Sequence, residues 1–342
     1  MKKICIVTDA WHPQVNGVVT TLNNVVGIIK DKVVDDNVDV VHPGLFPNYP
    51  LPFYKSIRFA IPIGFSKYID RYRPNYIHIA TEGPLGISAV IYCMKRGIPF
   101  TTSFHTDFSY YLKKHYFIPR KITWSYLRTF HWMSQSILVP NSYTASMLHK
   151  RNFDNNVIEW TRGYDSNFGF RQKRDVFSER VHVYVGRVSK EKNLDDFGVL
   201  SDKLDGVFVV IGDGPYLNKM KKKYKNIIYC GSLDHHHIAE WLAKSDVFVF
   251  PSRFDTFGIV MLESIACGVP VVSYNSGAAK SIIVNGINGY TVESIDEMPH
   301  AIDSATKIDR QIVSRSVNDG KYTWERAYRI FMETIVKVNE WV

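Results

Sequence analysis

The amino-acid sequence predicts an α/β protein of two domains, each built on a parallel β-sheet that is covered by helices. The chain has 342 residues, and at roughly 150 residues per domain this length corresponds to about two domains. Short apolar runs rich in β-branched residues recur in both halves, each followed by a turn and a helical stretch. Because apolar residues predominate in these continuous runs, they are typical of strands buried on both faces, and their alternation with helices indicates parallel sheets.

Five apolar runs in each half are the predicted strands. In chain order they are ICIVTD, VDVVHPG, YIHIATEGPLG, FTTSFHT and SILVPNS in the first half, and VHVYVGR, VFVVIGDGP, NIIYCGS, VFVFPS and VPVVSYNSG in the second. The two halves therefore repeat one architecture. Ligands of such sheets bind beyond the carboxyl ends of the strands, so the loops that follow the strands are the candidate sites.

Two further segments bear on the domain organisation. The segment Asp165–Arg180 is polar, has no apolar periodicity and joins the two series of strands, so the domain boundary is predicted within it. The end of the chain predicts a long amphipathic helix. Its apolar positions are Ala327, Ile330, Phe331, Ile335, Val338 and Trp341.

Composition excludes several classes of protein. Hydrophobic residues make up 45% of the chain and charged residues 22%, values that do not fit a disordered protein. No apolar stretch reaches the roughly 18 residues that a membrane-spanning helix needs. The apolar start is interrupted at Asp9, too early for a signal peptide, so a cytoplasmic protein is expected. The four cysteines lie far apart without a CxxC pair, which indicates free thiols.

The positive charge is concentrated in the first half. The net charge is +9, and residues 1–170 hold 19 basic and 11 acidic side chains, a net charge of +8. A positive surface attracts nucleic acid, anionic lipid head groups or phosphorylated substrates, and charge alone does not choose among them.

The loop after the strand VFVF is the strongest candidate site. Asp255 and Glu263 flank seven residues there, and we expect a helix to begin near Thr256 with Asp255 as its cap. The free N–H groups of Thr256, Phe257 and Gly258 would then form an anion site, with Glu263 about two turns along the helix. The alternative is that Asp255 is only a helix cap and Glu263 only a solvated helix residue.

Two other loops carry residues suited to phosphate groups. Arg187 and Lys192 follow the strand VHVYV, and a diphosphate that gains charge as it leaves a sugar needs such paired cations. Both are alternatively surface residues. In the first half, Asn16 and Gly17 open a helix where a phosphate or an acceptor has room to approach.

The run PSRFDTFGIVMLESIACGVPVV resembles the donor-site signature of the retaining GT-B glycosyltransferases of glycosyltransferase family 4, in which two acidic residues flank seven others. Other segments resemble the family in the same order along nearly the whole chain: DAWHPQVNGVVTTL, HIATEGPLG, TTSFHTDFSYYL, WTRGYD, YVGRVSKEKNL, VVIGDGP and the YTWE helix. Within the family, the chain is most similar to GDP-mannose-dependent α-mannosyltransferases and sulfoquinovosyl-diacylglycerol synthases. One departure is that Asp255 stands where a glutamate is more usual.

The resemblance implies a GT-B fold, with two Rossmann-like domains facing each other across a cleft. Residues 1–168 would bind the acceptor, residues 169–325 would bind the nucleotide sugar, and the helix in residues 326–342 would cross back to the first domain. The implied reaction transfers a hexosyl unit from GDP-mannose or a UDP-hexose to an acceptor hydroxyl with retention of configuration. The leaving diphosphate would accept the proton of the acceptor in a front-face substitution.

The resemblance also implies roles for individual residues. Arg187 and Lys192 would hold the nucleoside diphosphate, Glu263 the ribose hydroxyls and Asp255 the transferred sugar. His105, at a predicted strand end, would lie near the reacting carbon, or it is a cleft histidine without a chemical role. No metal or other cofactor is expected. The donor would further contact the backbone at Gly17, Gly212, Gly214, Ser232, Leu233, Thr256, Phe257 and Gly258.

Three other patterns favour ordinary structural readings. His235, His236 and His237 are consecutive at a predicted helix start and cannot all face one zinc ion, so a solvated helix start is expected. Asp35, Asp36 and Asp39 are assigned to a polar loop and not to a metal site. The glycines of GDGP lack the third glycine and the later acidic residue of a dinucleotide-binding fingerprint, which argues against an oxidoreductase.

The segment Tyr110–Met133, here called the aromatic–basic segment, combines aromatic rings with Lys113, Lys114, Arg120, Lys121 and Arg128. Such a mixture suits a membrane surface, because rings enter the acyl boundary while cations contact anionic head groups. The alternative is that half or more of the rings belong to the core. We therefore expect a lipid acceptor, peripheral binding at the inner face of a membrane and no nucleic-acid partner.

Other functions remain open on the sequence. A soluble glycan or a small molecule is the alternative acceptor. A GT-B epimerase would need no acceptor, and a GT-B phosphorylase would need a longer chain and a pyridoxal cofactor. A non-enzymatic lipid- or polyanion-binding module predicts salt-dependent binding without transfer from any nucleotide sugar.

Overall fold

The computed structural model describes the chain except for residues 1, 15, 33–36, 52–53, 108, 110–111, 114–116 and 338–342. The chain divides into two compact units. The first unit comprises Met1–Arg162 and Trp324–Val342, and the second comprises Gly163–Thr323. The sequence predicts these limits at 168/169 and 325/326, six and two residues after the limits in the structure.

The described part of the first unit contains a six-stranded parallel sheet in the order β2-β1-β5-β6-β7-β8. Its strands are β1 (Lys3–Val7), β2 (Asn37–Val41), β5 (Tyr76–Ile79), β6 (Phe100–Ser103), β7 (Ser136–Val139) and β8 (Asn156–Glu159). An antiparallel pair, β3 (Asn48–Leu51) and β4 (Tyr54–Ala60), follows β2. Its helices are α1 (Gly17–Lys32), α2 (Phe65–Tyr72), α3 (Pro84–Arg96), α4 (Arg120–His131), α5 (Ser142–His149) and, at the end of the chain, α13 (Trp324–Lys337).

The described part of the second unit also contains a six-stranded parallel sheet, here in the order β11-β10-β9-β12-β13-β14. Its strands are β9 (Val181–Val185), β10 (Val207–Ile211), β11 (Ile227–Gly231), β12 (Val247–Phe250), β13 (Val271–Tyr274) and β14 (Gly289–Val292). Its helices are α6 (Leu194–Lys203), α7 (Leu217–Lys223), α8 (His235–Lys244), α9 (Ile259–Ala266), α10 (Gly277–Ile282), α11 (Met298–Ala305) and α12 (Arg310–Arg315). Every residue of β9 and of β12 is buried. The prediction of two parallel-sheet, Rossmann-like domains is therefore confirmed.

The helix at the end of the chain packs on the first unit. Ala327, Phe331 and Ile335 are buried in a core that also contains Trp160. The indole N–H of Trp160 donates to the carbonyl oxygen of Ala327 at 2.8 Å. The described part of α13 thus has the amphipathic character that the sequence predicts, while Val338 and Trp341 lie outside the described residues.

The strand orders locate the places where ligands bind to such sheets. In the second unit the chain runs outward from β9 to β11 and then returns to the other side of β9 with β12. In the first unit the corresponding neighbours are β1 and β5. Between strands at which the chain reverses its direction of winding, the following loops separate and leave a crevice at the carboxyl edge of the sheet. The loops after β1, β5, β9 and β12 are therefore the candidate ligand-binding loops.

Candidate active site

An ion pair joins the two loops that flank the crevice of the second unit. Lys192, in the loop after β9, contacts Asp255, in the loop after β12, through its Nζ and the Oδ1 of the carboxylate. The two side chains are 23% and 16% exposed, respectively. The Lys192 Nζ also lies 6.0 Å from the ring centroid of Phe250. The predicted cation and the predicted carboxylate, which lie 63 positions apart in sequence, are thus brought together.

The second carboxylate oxygen of Asp255 has no hydrogen-bond partner among the described residues. This atom, Oδ2, is buried. Buried polar atoms nearly always have a partner, and an exception at a ligand crevice indicates where a ligand or a water supplies one. Asp255 can therefore hold the Lys192 ammonium with one oxygen and accept a hydrogen bond from a ligand hydroxyl with the other.

The structure corrects the predicted start of the helix after Asp255. Helix α9 begins at Ile259 and not near Thr256, and its N-cap residue is Gly258 in a left-handed conformation with φ of 74°. A side chain at this φ is strained, and a Cβ there would lie 2.6 Å from the Cε of Met261. Asp255 is therefore not the helix cap. Thr256 belongs to the preceding loop, and Phe257 is buried with its ring 6.3 Å from the ring of Tyr322. The helix N-terminus that can face an anion is at Gly258–Val260.

Glu263 lies in the second turn of α9 and is buried, with 8% of its surface exposed. Burial, with a smaller contribution from the nearby Asp165 carboxylate, raises the pKa of Glu263 to about 8. The alternative reading of Glu263 as a solvated helix residue is therefore wrong. At neutral pH this carboxyl is mostly protonated in the free protein, and ligand hydroxyls that donate to it would favour the ionised form.

The glycines near Arg187 hold two loops together. Gly212 has φ of 140°, and a Cβ there would lie 1.9 Å from the carbonyl oxygen of Gly186. Gly214 has φ of 157°, and a Cβ there would lie 2.3 Å from the carbonyl oxygen of Val188. The N–H of Gly186 donates to the carbonyl oxygen of Ile211 at 2.9 Å. The close approach of the loops after β9 and β10 fixes the backbone around Arg187, whose carbonyl oxygen accepts the Tyr184 hydroxyl at 3.1 Å.

Ser232 and Leu233 lie farther from the crevice, in the loop after the edge strand β11. Ser232 is exposed, and Leu233 packs partly against the core of the unit. The structure leaves both accessible to a ligand that extends from the crevice toward this edge.

In the first unit, His105 follows β6 and is buried beside Arg162. The Nδ1 of His105 lies 3.1 Å from an Nη of Arg162, whose guanidinium lies 4.4 Å from the ring centroid of Trp160. Burial, followed by the positive charge of Arg162, lowers the pKa of His105 well below its ordinary value. His105 is therefore neutral at physiological pH and can exchange hydrogen bonds with a hydroxyl without carrying a charge.

The loop after β1 also has the predicted opening. The Oδ1 of Asn16 accepts from the N–H groups of Val18 and Val19, each at 3.0 Å, so Asn16 caps α1. No atom lies within 4 Å of where a Cβ on Gly17 would stand. Gly17 is therefore not required by packing inside the protein and leaves the start of α1 open to a ligand.

Sequence analysis missed Asp9, Glu82 and Arg162 as members of this edge. Asp9 follows β1 and accepts from the Leu85 N–H at 3.0 Å and from the Thr81 hydroxyl at 2.9 Å, so it caps α3. Burial raises the pKa of Asp9. The Oε1 of the buried Glu82 lies 3.4 Å from the Nε2 of His131. The signal available for Asp9 and Glu82 was their position just after predicted strands. Arg162 stands at the limit of the first unit, in the segment WTRGYD, which resembles the family but was given no functional residue.

The structure contradicts the expectation for one of the acidic residues and agrees with the expectation for the three consecutive histidines. Asp39 lies within β2 and accepts from the Tyr68 hydroxyl at 2.9 Å, so its assignment to a loop is wrong, whereas Asp35 and Asp36 lie outside the described residues. His235, His236 and His237 are exposed in the first turn of α8, as expected of a solvated helix start. Among the described residues, the one set of three side chains close enough to share a metal ion is exposed and consists of Asp234, His236 and His237.

The aromatic–basic segment divides into a buried and an exposed part. Leu127 and Phe130 belong to the core, whereas Phe117 is 87% exposed, Ile122 60% and Trp132 69%. Tyr110 and Lys114 lie outside the described residues. In the described part of the chain no helix is both long enough and apolar enough to cross a bilayer.

Both halves of the chain match family models. Residues 12–168 match the model described as Glycosyltransferase Family 4, and residues 169–314 match the model described as Glycosyl transferases group 1. The chain is 26% identical to a GDP-mannose-dependent alpha-mannosyltransferase of Corynebacterium glutamicum over 86% of this chain and 77% of that protein. It is 26% identical to a sulfoquinovosyl transferase of Arabidopsis thaliana over 82% of this chain and 60% of that protein. It is 24% identical to an alpha-monoglucosyldiacylglycerol synthase of Streptococcus pneumoniae over 98% of this chain and 87% of that protein.

Solved structures resemble the fold over the whole chain. A sucrose-phosphate synthase of Thermosynechococcus elongatus superposes with a TM-score of 0.79 at 14% identity and full coverage of both chains. The Anabaena protein HepE in complex with UDP and glucose superposes with a TM-score of 0.74 at 15% identity, over 98% of this chain and 100% of that one.

Fold and sequence matches together define the class: the protein is a glycosyltransferase of the GT-B type. The two family models jointly span residues 12–314, and the chain belongs to the family 4 and group 1 glycosyltransferases that they describe. It is a nucleotide-sugar-dependent hexosyltransferase, as the sequence predicts.

Proposed function

We propose that the protein transfers a hexosyl unit from GDP-mannose or a UDP-hexose to a hydroxyl group of a membrane lipid, and that the product is an α-glycoside. Relatives named as GDP-mannose-dependent alpha-mannosyltransferases and as an alpha-monoglucosyldiacylglycerol synthase support the donor and the acceptor class. The observation that carries the proposal is the Lys192–Asp255 pair at the strand crevice, with one carboxylate oxygen available to a ligand.

In this proposal Arg187 and Lys192 hold the diphosphate. The bond between the sugar carbon and the diphosphate oxygen breaks while negative charge accumulates on the leaving group. Fixed cations that gain attraction as this charge develops lower the barrier of the step. Lys192 is held at the crevice by Asp255, so little reorganisation is needed when the diphosphate arrives. The helix N-terminus at Gly258–Val260 adds N–H donors to the same region.

The remaining donor contacts are assigned by their chemistry. The Oδ2 of Asp255 accepts from a hydroxyl of the transferred sugar, and Glu263 accepts from the ribose hydroxyls. Gly212 and Gly214 keep the phosphate loop in place, and Ser232 and Leu233 contact the base. In the first unit, Gly17 gives room at the start of α1, and neutral His105 hydrogen-bonds a sugar hydroxyl.

The reaction retains the configuration of the sugar carbon. The new bond forms between this carbon and the acceptor oxygen on the face that the diphosphate leaves, and the departing diphosphate oxygen takes the acceptor proton. Asp255 is engaged by Lys192 and is assigned to binding and not to nucleophilic attack. The paired cations and the helix N-terminus serve the purpose that a metal ion serves elsewhere, so the proposed reaction uses no metal.

The acceptor is proposed to be a lipid because of charge and exposed rings in one unit. Residues 1–170 carry a net charge of +8, and Phe117, Ile122 and Trp132 are exposed beside basic side chains. Anionic head groups attract such a surface, and amphipathic rings settle at the boundary between head groups and acyl chains. We propose that the protein binds peripherally to the inner face of a membrane.

Ligand-induced stabilisation and product analysis test the proposal. GDP-mannose, UDP-glucose and UDP-sulfoquinovose are each added to the protein, and the correct donor at 100 times its dissociation constant is expected to add about 2.7 kcal/mol to the free energy of unfolding. That donor is then incubated with the protein and diacylglycerol or phosphatidylinositol in vesicles. Nucleoside diphosphate release that depends on the lipid, and an α-linked product by NMR, are expected. Transfer only to a soluble glycan would reject the lipid acceptor, and a β-linked product would reject retention.

A further inference from the structure

A positively charged groove runs along α4 in the first unit. Two adjoining cavities of about 510 and 330 Å³ lie between this helix and the segment from Arg151 to Asn155. Arg128 and Asn152 line both cavities, which makes them one continuous feature, here called the α4 groove. Asn152–Asn155 directly precede β8, so this end of the groove is at the amino edge of the sheet. His105 follows β6 at the opposite, carboxyl edge, so this end of the groove lies away from the proposed active site, whereas Arg120, at the other end, contacts Asp107 in the loop that follows β6.

The described lining of the α4 groove is strongly cationic. Arg120, Lys121, Arg128 and Arg151 line it, against the single acidic residue Asp154. Arg120 is partly neutralised by Asp107 at 3.7 Å. Among the described residues, Lys121 and Arg128 have no ion-pair partner. Arginines that converge on a concave surface are typical of sites that bind phosphate groups.

A second, independent observation comes from Trp124, which lines the larger cavity. Its ring is stacked on Phe104 at 5.9 Å, and the guanidinium of Arg151 lies 4.3 Å from its ring centroid. The indole N–H is buried and donates to no described residue. An anionic oxygen in the groove would supply the missing acceptor while its charge is balanced by Arg128 and Arg151.

We propose that the α4 groove binds the phosphate group of an anionic lipid head group. A lipid is favoured over a soluble phosphate compound because Trp132, which lines the groove at the end of α4, is exposed and can enter the head-group boundary, as can the exposed Ile122 in the first turn of the same helix. This proposal rests on the membrane binding proposed above and assigns that binding to a defined site in place of a diffuse charged surface. It requires neither a particular donor nor a lipid acceptor.

The first experiment measures binding to vesicles of phosphatidylglycerol and phosphatidylcholine in equal parts, compared with phosphatidylcholine alone, at fixed ionic strength. Arg128→Gln/Arg151→Gln is compared with Lys113→Gln/Lys150→Gln, which removes the same charge from two exposed lysines in neighbouring segments that do not line the groove. The groove variant is expected to bind at least about tenfold more weakly than the control, because it loses hydrogen bonds to a charged group as well as charge. Equal losses in the two variants would overturn the proposal in favour of diffuse attraction.

The second experiment uses Trp124→Phe, which leaves the net charge unchanged and keeps an aromatic ring on Phe104. We expect vesicle binding to weaken about threefold to tenfold, because the only donor lost is the indole N–H. Unchanged binding by a folded Trp124→Phe protein would contradict the assigned contact.

Inorganic phosphate distinguishes the two sources of the ligand. Phosphate is expected to displace the wild-type protein from the anionic vesicles. A chloride salt at the same ionic strength is the control and is expected to displace less of it. Phosphate binding in the groove without any binding to phosphatidylglycerol vesicles would overturn the lipid assignment in favour of a soluble phosphate compound. Stabilisation by the sugar nucleotide is expected to be the same in all variants. A wrong assignment of the groove would therefore change only the vesicle-binding results, whereas a wrong transferase function would show as the absence of stabilisation by any sugar nucleotide.

Discussion

Binding of a sugar nucleotide is expected to release a proton from Glu263 at neutral pH. With a pKa of about 8, this carboxyl is about 90% protonated at pH 7 in the free protein. Ribose hydroxyls that donate to it favour the ionised form and lower its pKa in the complex. If the ionised form alone binds the ribose, about 0.9 proton leaves per donor bound at pH 7. The affinity then rises about tenfold from pH 6 to 7 and about fivefold from pH 7 to 8, where half of the sites are already ionised.

Isothermal titration calorimetry measures this proton directly. The donor is titrated into the protein at pH 7 in buffers with different enthalpies of ionisation, and the slope of the observed enthalpy against the buffer enthalpy gives the number of protons released. GDP-mannose or UDP-glucose is preferable to the free diphosphate, because the terminal phosphate of the latter also titrates near pH 6.

Glu263→Gln is the matched control, because the amide has a similar shape and does not titrate. Its slope is expected to be close to zero, and its affinity is expected to be nearly constant between pH 6 and 8. A wild-type slope of zero, or equal slopes in the two proteins, would refute the reasoning that a protonated, buried Glu263 receives the ribose.

Three other outcomes are expected. Lys192→Ala lowers the transfer rate about a hundredfold or more, whereas Lys190→Ala, an exposed neighbour, leaves it nearly unchanged; comparable rates in both would contradict the diphosphate assignment. Transfer activity survives EDTA, and a loss that Mg²⁺ restores would count against the paired cations. Burial lowers the pKa of His78 to about 3, so the unfolded chain takes up a proton below its ordinary pKa of about 6.5, and the contribution of His78 to the free energy of unfolding falls by about 1.7 kcal/mol between pH 6.5 and 5. Denaturant titrations at both pH values measure the change in the free energy of unfolding, and we expect this change to be smaller by about 1.7 kcal/mol in His78→Gln than in the wild type, because other buried histidines such as His105 and His182 contribute to both.

The strand pattern was predictable because it follows from burial on both faces. The run that forms β12 is apolar at every position, and β9 is apolar except for His182; every residue of both strands is buried, which is typical of strands covered on both faces. The pair β3 and β4 was missed, since Asn48–Leu51 and the residues that follow contain several prolines and are too short to show a period. Strand β8 was missed for a similar reason, because Asn156–Glu159 has a polar residue at each end.

The site was predictable in its residue types but not in its contacts. Position after a strand identified Arg187, Lys192 and Asp255, since strand ends mark the crevice. The ion pair between Lys192 and Asp255 depends on β12 lying beside β9, which only the sheet order determines. The helix start was misplaced because the left-handed turn at Gly258 competes with an Asp cap, and the sequence contains both signals. The burial of Glu263 comes from packing around α9 and has no signature in its spacing from Asp255.

The carboxyl edges of the two parallel sheets present different electrostatic environments. At the crevice of the second unit, Lys192 forms an ion pair with Asp255, and this pair places a cation where a dianionic ligand can contact it. At the corresponding edge of the first unit, burial raises the pKa of Asp9 and lowers that of His105, so both side chains are driven toward their neutral forms. A nucleoside diphosphate needs the first environment, because its charge grows during transfer. A sugar hydroxyl needs only the second, since neutral donors and acceptors orient it without removing its proton before the diphosphate has begun to leave.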